Sequence, residues 1–240
     1  MSAILQTHGL TRHFRGLVAN DDIDFTLAAG EVRAVIGPNG AGKTTFLSMI
    51  SGHLPPSTGR VMYKGADITR RSVVQRARLG IVRKFQTPTV FDNLSAYRNV
   101  ELAVLRTDCP RSERDERIHA VLRRVRLEEE ADTPAQFLSH GQRQWLEIGL
   151  LVAIRGELLL LDEPTAGMTA EETAATGDLV TLLARDMQLS VIIIEHDINF
   201  IRALQAPVTV LHLGRILKQG SFEEVAADER VREVYLGTGS

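Results

Sequence analysis

The chain is short of the features that classify a protein fastest. It has one cysteine, Cys109, in 240 residues. No internal disulfide can form and the paired spacing of a zinc site is missing, which suits a reducing cytosol and leaves Cys109 as structural filler. Aromatic residues make up only 5% of the sequence. Long hydrophobic runs are absent: the stretches 158–161 and 191–194 are far shorter than the ~20 residues needed to cross a bilayer. Residues 1–10 lack a basic start followed by an apolar stretch, so no signal peptide is expected. An excess of one charge is missing too. The formal net charge of −2 argues against a dominant attraction to nucleic acid or anionic lipid, and any membrane association is expected to come through a protein partner. Internal repeats, low-complexity tracts and heptad runs are also lacking.

What remains is an ordinary globular composition, 44% apolar and 24% charged, in a chain long enough to bury a core without metal or disulfide staples. Apolar residues alternate through 4–14 and again at Ile23, Phe25 and Leu27, which predicts a small antiparallel sheet at the start. Residues 31–36 read as a buried strand that stops at a glycine turn and gives way to a helix over 43–50, closed by Gly52. Strands are expected at 61–63 and 81–85, followed by an Arg- and Glu-rich helical stretch over 93–131 that includes one helix at 112–126. Further on come a helix at 142–154, a strand at 158–161, a helix at 170–187 and a strand at 191–195. This alternation predicts a parallel α/β sheet. A hairpin around Gly214 and a short tail helix from Phe222 complete the reading.

The chemistry is concentrated in a few words. Gly37-Pro38-Asn39-Gly40-Ala41-Gly42-Lys43-Thr44 fits the phosphate-loop pattern G-x-x-x-x-G-K-S/T between a predicted strand and a predicted helix. Glycines let successive backbone N–H groups turn toward one point, and the following helix adds its positive dipole end. Lys43 then supplies a charge to the β- and γ-phosphates and the Thr44 hydroxyl a ligand for Mg²⁺, with Thr45 the next residue of the nucleotide-binding set. The apolar strand at 158–161 ends in Asp162-Glu163. Downstream of a phosphate loop, such a pair suits one carboxylate holding Mg²⁺, Asp162, and one polarising the attacking water as general base, Glu163. Carboxylates at a strand end also serve as turn or helix-capping residues.

Leu138-Ser139-His140-Gly141-Gln142, just ahead of the carboxylate strand, resembles the signature sequence LSGGQ of ATP-binding-cassette ATPases, and the order and spacing of motifs are similar over essentially the whole chain. The resemblance implies a P-loop NTPase (RecA-like) α/β core with an N-terminal antiparallel β-subdomain and an inserted α-helical subdomain. The core would comprise 1–86 and 147–240, and the helical subdomain with the signature 87–146. It also implies a head-to-tail dimer in which Ser139 and the Gly141 amide meet a γ-phosphate held by the partner's phosphate loop. Phe14 takes the place of the aromatic that stacks on adenine, worth about 1 kcal/mol. Gln86 matches the glutamine that touches Mg²⁺ and the attacking water, and His196 the switch histidine that contacts the γ-phosphate. ATP and Mg²⁺ are the implied substrate and cofactor. Two positions depart from the pattern: His140 replaces the first signature glycine, and Thr169 stands where many members carry an aspartate that helps the two sites of a dimer communicate.

The words Arg83-Lys84-Phe85-Gln86-Thr87-Pro88-Thr89-Val90-Phe91, Gln144-Trp145-Leu146-Glu147-Ile148-Gly149 and Asp162-Glu163-Pro164-Thr165-Ala166-Gly167-Met168-Thr169 look like importers of branched-chain amino acids, amides and urea. The signature LSHGQ leading into QWLEIG, together with AGMT, is most similar to the urea-type ATPases, and the terminal Val234-Tyr235-Leu236-Gly237 is like that group. Such a chain would sit peripherally at the cytoplasmic face of a bacterial inner membrane. Its partners would be two integral membrane permease subunits, a second cassette (a paralogue or another copy), and indirectly a periplasmic solute-binding protein, with no nucleic acid. A branched-chain amino acid importer and a soluble ATPase of iron-sulfur cluster assembly stand as alternatives. A module that binds ATP without hydrolysing it is disfavoured by Glu163, Gln86 and His196, which serve the attack of water.

Overall fold

Two sheets organise the computed structural model, which describes residues 2–84 and 90–236. Strands β1 (Ala3–Phe14) and β2 (Leu17–Ala28) form the expected antiparallel pair, and β3 (Val32–Ile36) then leads through the glycine loop into helix α1 (Lys43–Ser51). The chain returns to the first sheet with β4 (Thr58–Tyr63) and β5 (Ala66–Asp67), giving the order β2-β1-β4-β5. Helix α2 (Val73–Arg78) follows, and β6 (Ile81–Lys84) enters the second sheet. Next come α3 (Ala96–Val104), α4 (Arg114–Arg124) and α5 (His140–Ala153), and then β7 (Leu158–Asp162), α6 (Ala170–Met187), β8 (Ser190–Ile194) and α7 (Ile198–Ala203). The hairpin β9 (Val208–His212) and β10 (Arg215–Gly220) and helices α8 (Phe222–Ala227) and α9 (Glu229–Leu236) end the described chain. The second sheet is ordered β10-β9-β3-β8-β7-β6, parallel except for the last hairpin.

The apolar strands of this sheet are buried on both faces, as a parallel sheet requires. Leu158, Leu160, Ile192 and Ile194 face one cluster, shared with α1 and the antiparallel sheet, where Phe25 meets Phe46 edge to face at 5.3 Å. Leu159, Leu161, Val191 and Ile193 face the other, shared with α3, α4, α5 and α6. Helix α5 runs unbroken through residues 146 and 147, the division between helical subdomain and core that the resemblance implies.

Local capping sets several boundaries that periodicity alone misplaces. The helix expected from 142 begins at His140, because Ser139 and Gln142 form a reciprocal cap. The helical stretch expected from 93 starts at Ala96 behind a Ser95 cap, and the helix expected over 112–126 is α4 preceded by a 3-10 turn at Arg111–Glu113. The expected strand 81–85 ends at Lys84 within the described residues; Phe85 lies outside them. Helix α2 was unforeseen, although its Ser72-x-x-Gln75 cap is written in the sequence. It carries Arg76, 1% exposed, whose guanidinium donates to the carbonyls of Met49 (2.6 Å), Ile50 (2.7 Å), Thr69 (2.9 Å) and Arg71 (3.0 Å). A cation at this spot satisfies the orphan carbonyls at the end of α1 and opposes its negative dipole end.

Candidate active site

Strand β3 ends at the glycine loop, and α1 starts from Gly42. Gly42 has φ +99°, and a β-carbon there would stand 2.3 Å from the Ala19 carbonyl oxygen, so only glycine lets the loop pack this closely against β2. Lys43 is buried, and its Nζ donates to the carbonyls of Gly37 at 2.7 Å and Pro38 at 3.0 Å. Burial lowers its pKa from the ordinary lysine value, against the opposing pull of Glu163 and Asp162.

The carboxylates at the end of β7 have different surroundings. Asp162 is buried, and its Oδ2 accepts from Arg83 Nη2 at 2.8 Å while its Oδ1 accepts no hydrogen bond. A buried carboxylate oxygen with open lone pairs is the kind of hard ligand that Mg²⁺ takes. Among the described residues no cluster of three or more His, Cys, Asp or Glu could hold a metal. Glu163 is partly exposed and adopts φ +49°, a left-handed conformation uncommon for a residue with a side chain, while its N–H bonds the Ile194 carbonyl at 2.9 Å. Its Oε1 lies 3.0 Å from His196 Nε2.

A cleft of about 510 Å³ gathers most of the residues singled out in the sequence. Asn39, Gly40, Ala41, Gly42, Lys43, Thr44 and Thr45 line it with Glu163, His196 and Phe14. Phe14 is 42% exposed and has the Arg12 guanidinium 4.9 Å from its ring centroid. Gly37 and Pro38 lie behind the lining as the acceptors for Lys43. Gln86 is outside the described residues. Leu138, Ser139, His140, Gly141 and Gln142 do not line this cleft and instead start α5.

Sequence reasoning missed other contributors. Leu17, Val18, Ala19 and Leu213 line the cleft beside Phe14 and leave no periodic signal. Buried Glu195 accepts from the Thr165 N–H (2.9 Å) and hydroxyl (2.6 Å) through Oε1, and from the His196 N–H (3.1 Å) through Oε2. It ties the loop after β7 to the histidine after β8. A carboxylate directly following an apolar strand was its one visible sign.

The sequence profile of the ABC transporter family matches residues 20–166. The chain belongs to the ABC transporter ATP-binding family. It is therefore an ATPase coupled to transport, built on a P-loop NTPase fold. A second profile, the branched-chain amino acid ATP-binding cassette transporter, matches residues 219–240 of this cassette. The cassette is 37% identical over 239 residues to the lipopolysaccharide export system ATP-binding protein LptB of Acidithiobacillus ferridurans, covering 99% of this chain and 98% of LptB. It is 32% identical over 249 residues to the high-affinity branched-chain amino acid transport ATP-binding protein BraF of Pseudomonas aeruginosa, covering 98% of each. Its fold matches the ADP conformation of MJ1267, an ATP-binding cassette of an ABC transporter, with a TM-score of 0.89 at 26% identity, covering 99% of this chain and 100% of MJ1267. No helix among the described residues of the cassette is long and apolar enough to cross a membrane.

The other family words in this cassette have packing roles. Trp145 Nε1 donates to Thr176 Oγ1 at 2.9 Å, joining α5 to α6, and Lys84 pairs with Glu147 at 3.0 Å, joining β6 to α5. Thr169 caps α6 in a reciprocal box with Glu172. His140 Nε2 lies 2.8 Å from the Ala166 carbonyl oxygen, and Ser139 Oγ and the Gly141 N–H each reach Glu172 Oε1 at 3.2 Å.

Proposed function

We propose that this cassette is the motor of a bacterial importer in the branched-chain amino acid, amide and urea group, with urea or a short-chain amide as its cargo. The match of residues 219–240 to the branched-chain cassette profile carries the importer reading. The words LSHGQ, QWLEIG and AGMT support urea-type cargo by resemblance. Two permease subunits and a second cassette, either a paralogue or another copy, complete the membrane-bound machine, and a periplasmic protein delivers the solute. In this reading the stretch numbered 87–146 is assigned to a helical subdomain.

In the proposed mechanism the adenine rests on Phe14, the loop N–H groups from Asn39 to Thr45 receive the phosphates, and Lys43 leaves its carbonyl tethers to meet them. Thr44 and Asp162, with Gln86, would hold Mg²⁺, which when bound offsets charge on the phosphate oxygens. Glu163 accepts a proton from the attacking water, and His196, anchored through its N–H to Glu195, orients that carboxylate. Differential affinity of ATP for the closed head-to-tail pair drives closure, since a ligand binding both states equally shifts nothing.

The 37% identity to LptB favours a second reading, lipopolysaccharide export. Uptake of labelled urea and labelled leucine at low external concentration, in cells deleted for the chain and complemented with wild type or Lys43→Ala, separates the readings. Loss of urea uptake alone, restored only by wild type, supports the proposal. Loss of leucine uptake moves the cargo to branched-chain amino acids, and intact uptake of both with a defective outer-membrane lipid layer supports export.

A further inference from the structure

One carboxylate lies between two helix starts. Glu172 Oε2 accepts from the Thr169 N–H at 3.0 Å and hydroxyl at 3.2 Å, the ordinary cap of its own helix α6. Its other oxygen, Oε1, reaches across to α5 and accepts from Ser139 Oγ and the Gly141 N–H, both at 3.2 Å. Capping α6 does not require that second reach. Gly141 makes it possible, because a β-carbon there would stand 2.7 Å from Glu172 Oε1. The Thr169 N–H, then that of Gly141, then the Thr169 and Ser139 hydroxyls hold the carboxyl below its usual range, so it stays ionised at neutral pH. An anion therefore already sits on donors that face outward from a helix N-terminus.

We propose that Glu172 is an internal stand-in for phosphate, holding Ser139 Oγ and the Gly141 N–H in the open cassette until the partner cassette's γ-phosphate displaces it. This rests on the head-to-tail reading above, in which those donors receive phosphate in trans. Two anions cannot share the donors, since like charges brought together at an interface oppose association. Glu172 thus sets the ATP level at which the pair closes. The His140 contact with Ala166 fastens the same two segments, so α5 stays in register with the loop while the carboxylate swings away.

The test is sedimentation velocity of the chain in the Glu163→Gln background, with ATP and Mg²⁺, comparing Glu172→Gln, Glu172→Asp and Glu171→Gln. Glutamine serves as well as glutamate in a capping box, so the first variant keeps the cap and removes the charge. Aspartate keeps the charge and shortens its reach. Glu171 carries an equal charge in the same turn of α6 and is exposed. Glu172→Gln should tighten ATP-driven dimerisation about tenfold, equivalent to roughly 1.4 kcal/mol, and leave ATP affinity of the monomer unchanged. Glu172→Asp should fall between, and Glu171→Gln should match the parent. A dimer constant unmoved or weakened by Glu172→Gln, or an equal gain from Glu171→Gln, overturns the proposal. Absence of any ATP-driven dimer in every protein, alone, with the permease subunits or with a paralogous cassette, defeats the head-to-tail reading and the proposal with it. Melting curves confirm that each variant folds.

Discussion

In the proposed mechanism Lys43 has to exchange partners. Its ammonium sits on two carbonyls of its own loop, and burial has lowered its pKa from the ordinary value of 10.5. A lysine shifted this way holds its proton less well folded than unfolded. Between the folded and unfolded values the unfolded chain carries more protons, so stability rises with pH there, and below that window charged Lys43 is a constant cost. Lys43→Met should therefore melt no lower than wild type at pH 7 while losing about a hundredfold or more in ATP turnover, the size expected when a transition-state charge partner is removed. Calorimetry and a phosphate-release assay on the same preparation check both halves. Normal turnover would take Lys43 out of the site. At this scale the phosphate loop and the Asp162-Glu163 pair could be picked out by their spacing, and Phe14 and His196 by resemblance alone. Glu195 was not, since its role depends on a hydroxyl 30 residues away in sequence that only the fold brings near.

Among the described residues strand β6 is an edge strand, and a buried ion pair links it to the helical layer. Lys84 and Glu147 have side chains 3% and 5% exposed and meet at 3.0 Å. Removing one charge of a buried pair is strongly destabilising, so Lys84→Met should cost about 3–5 kcal/mol in urea unfolding. Adding Glu147→Leu should recover most of that loss, because two apolar side chains of similar size replace such pairs at little cost. A single variant as stable as wild type would show that Glu147 is satisfied without Lys84. Elements with strong periodicity, such as α6 and the apolar strands, could be read in advance; α2 could not, being six residues long and held by Arg76, whose charge looks like surface in a linear reading. The same limit explains the word QWLEIG, whose tryptophan and glutamate bind neighbouring elements.

Over the whole molecule the charges nearly cancel, so attachment to a permease has to rest on shape and local contacts. Phe91 is 59% exposed, and its N–H is pinned to Asn99 Oδ1 at 2.8 Å on the first helix after β6. In the proposed machine, a large apolar side chain presented on a fixed backbone would suit a membrane-subunit helix. Phe91→Ala should keep the basal ATPase rate of the isolated chain and lose most of the stimulation seen in the assembled transporter, measured in proteoliposomes. Unchanged stimulation would remove Phe91 from that interface. The overall class was legible because a few spaced motifs specify it; the cargo was not, because in the proposed machine other chains select it. Finally, the lone tryptophan of the chain bridges the helix that begins with the signature and the helix that follows the loop after β7. Its indole emission is a built-in optical gauge of whether those two helices stay joined as nucleotide comes and goes, readable in real time without attaching a dye.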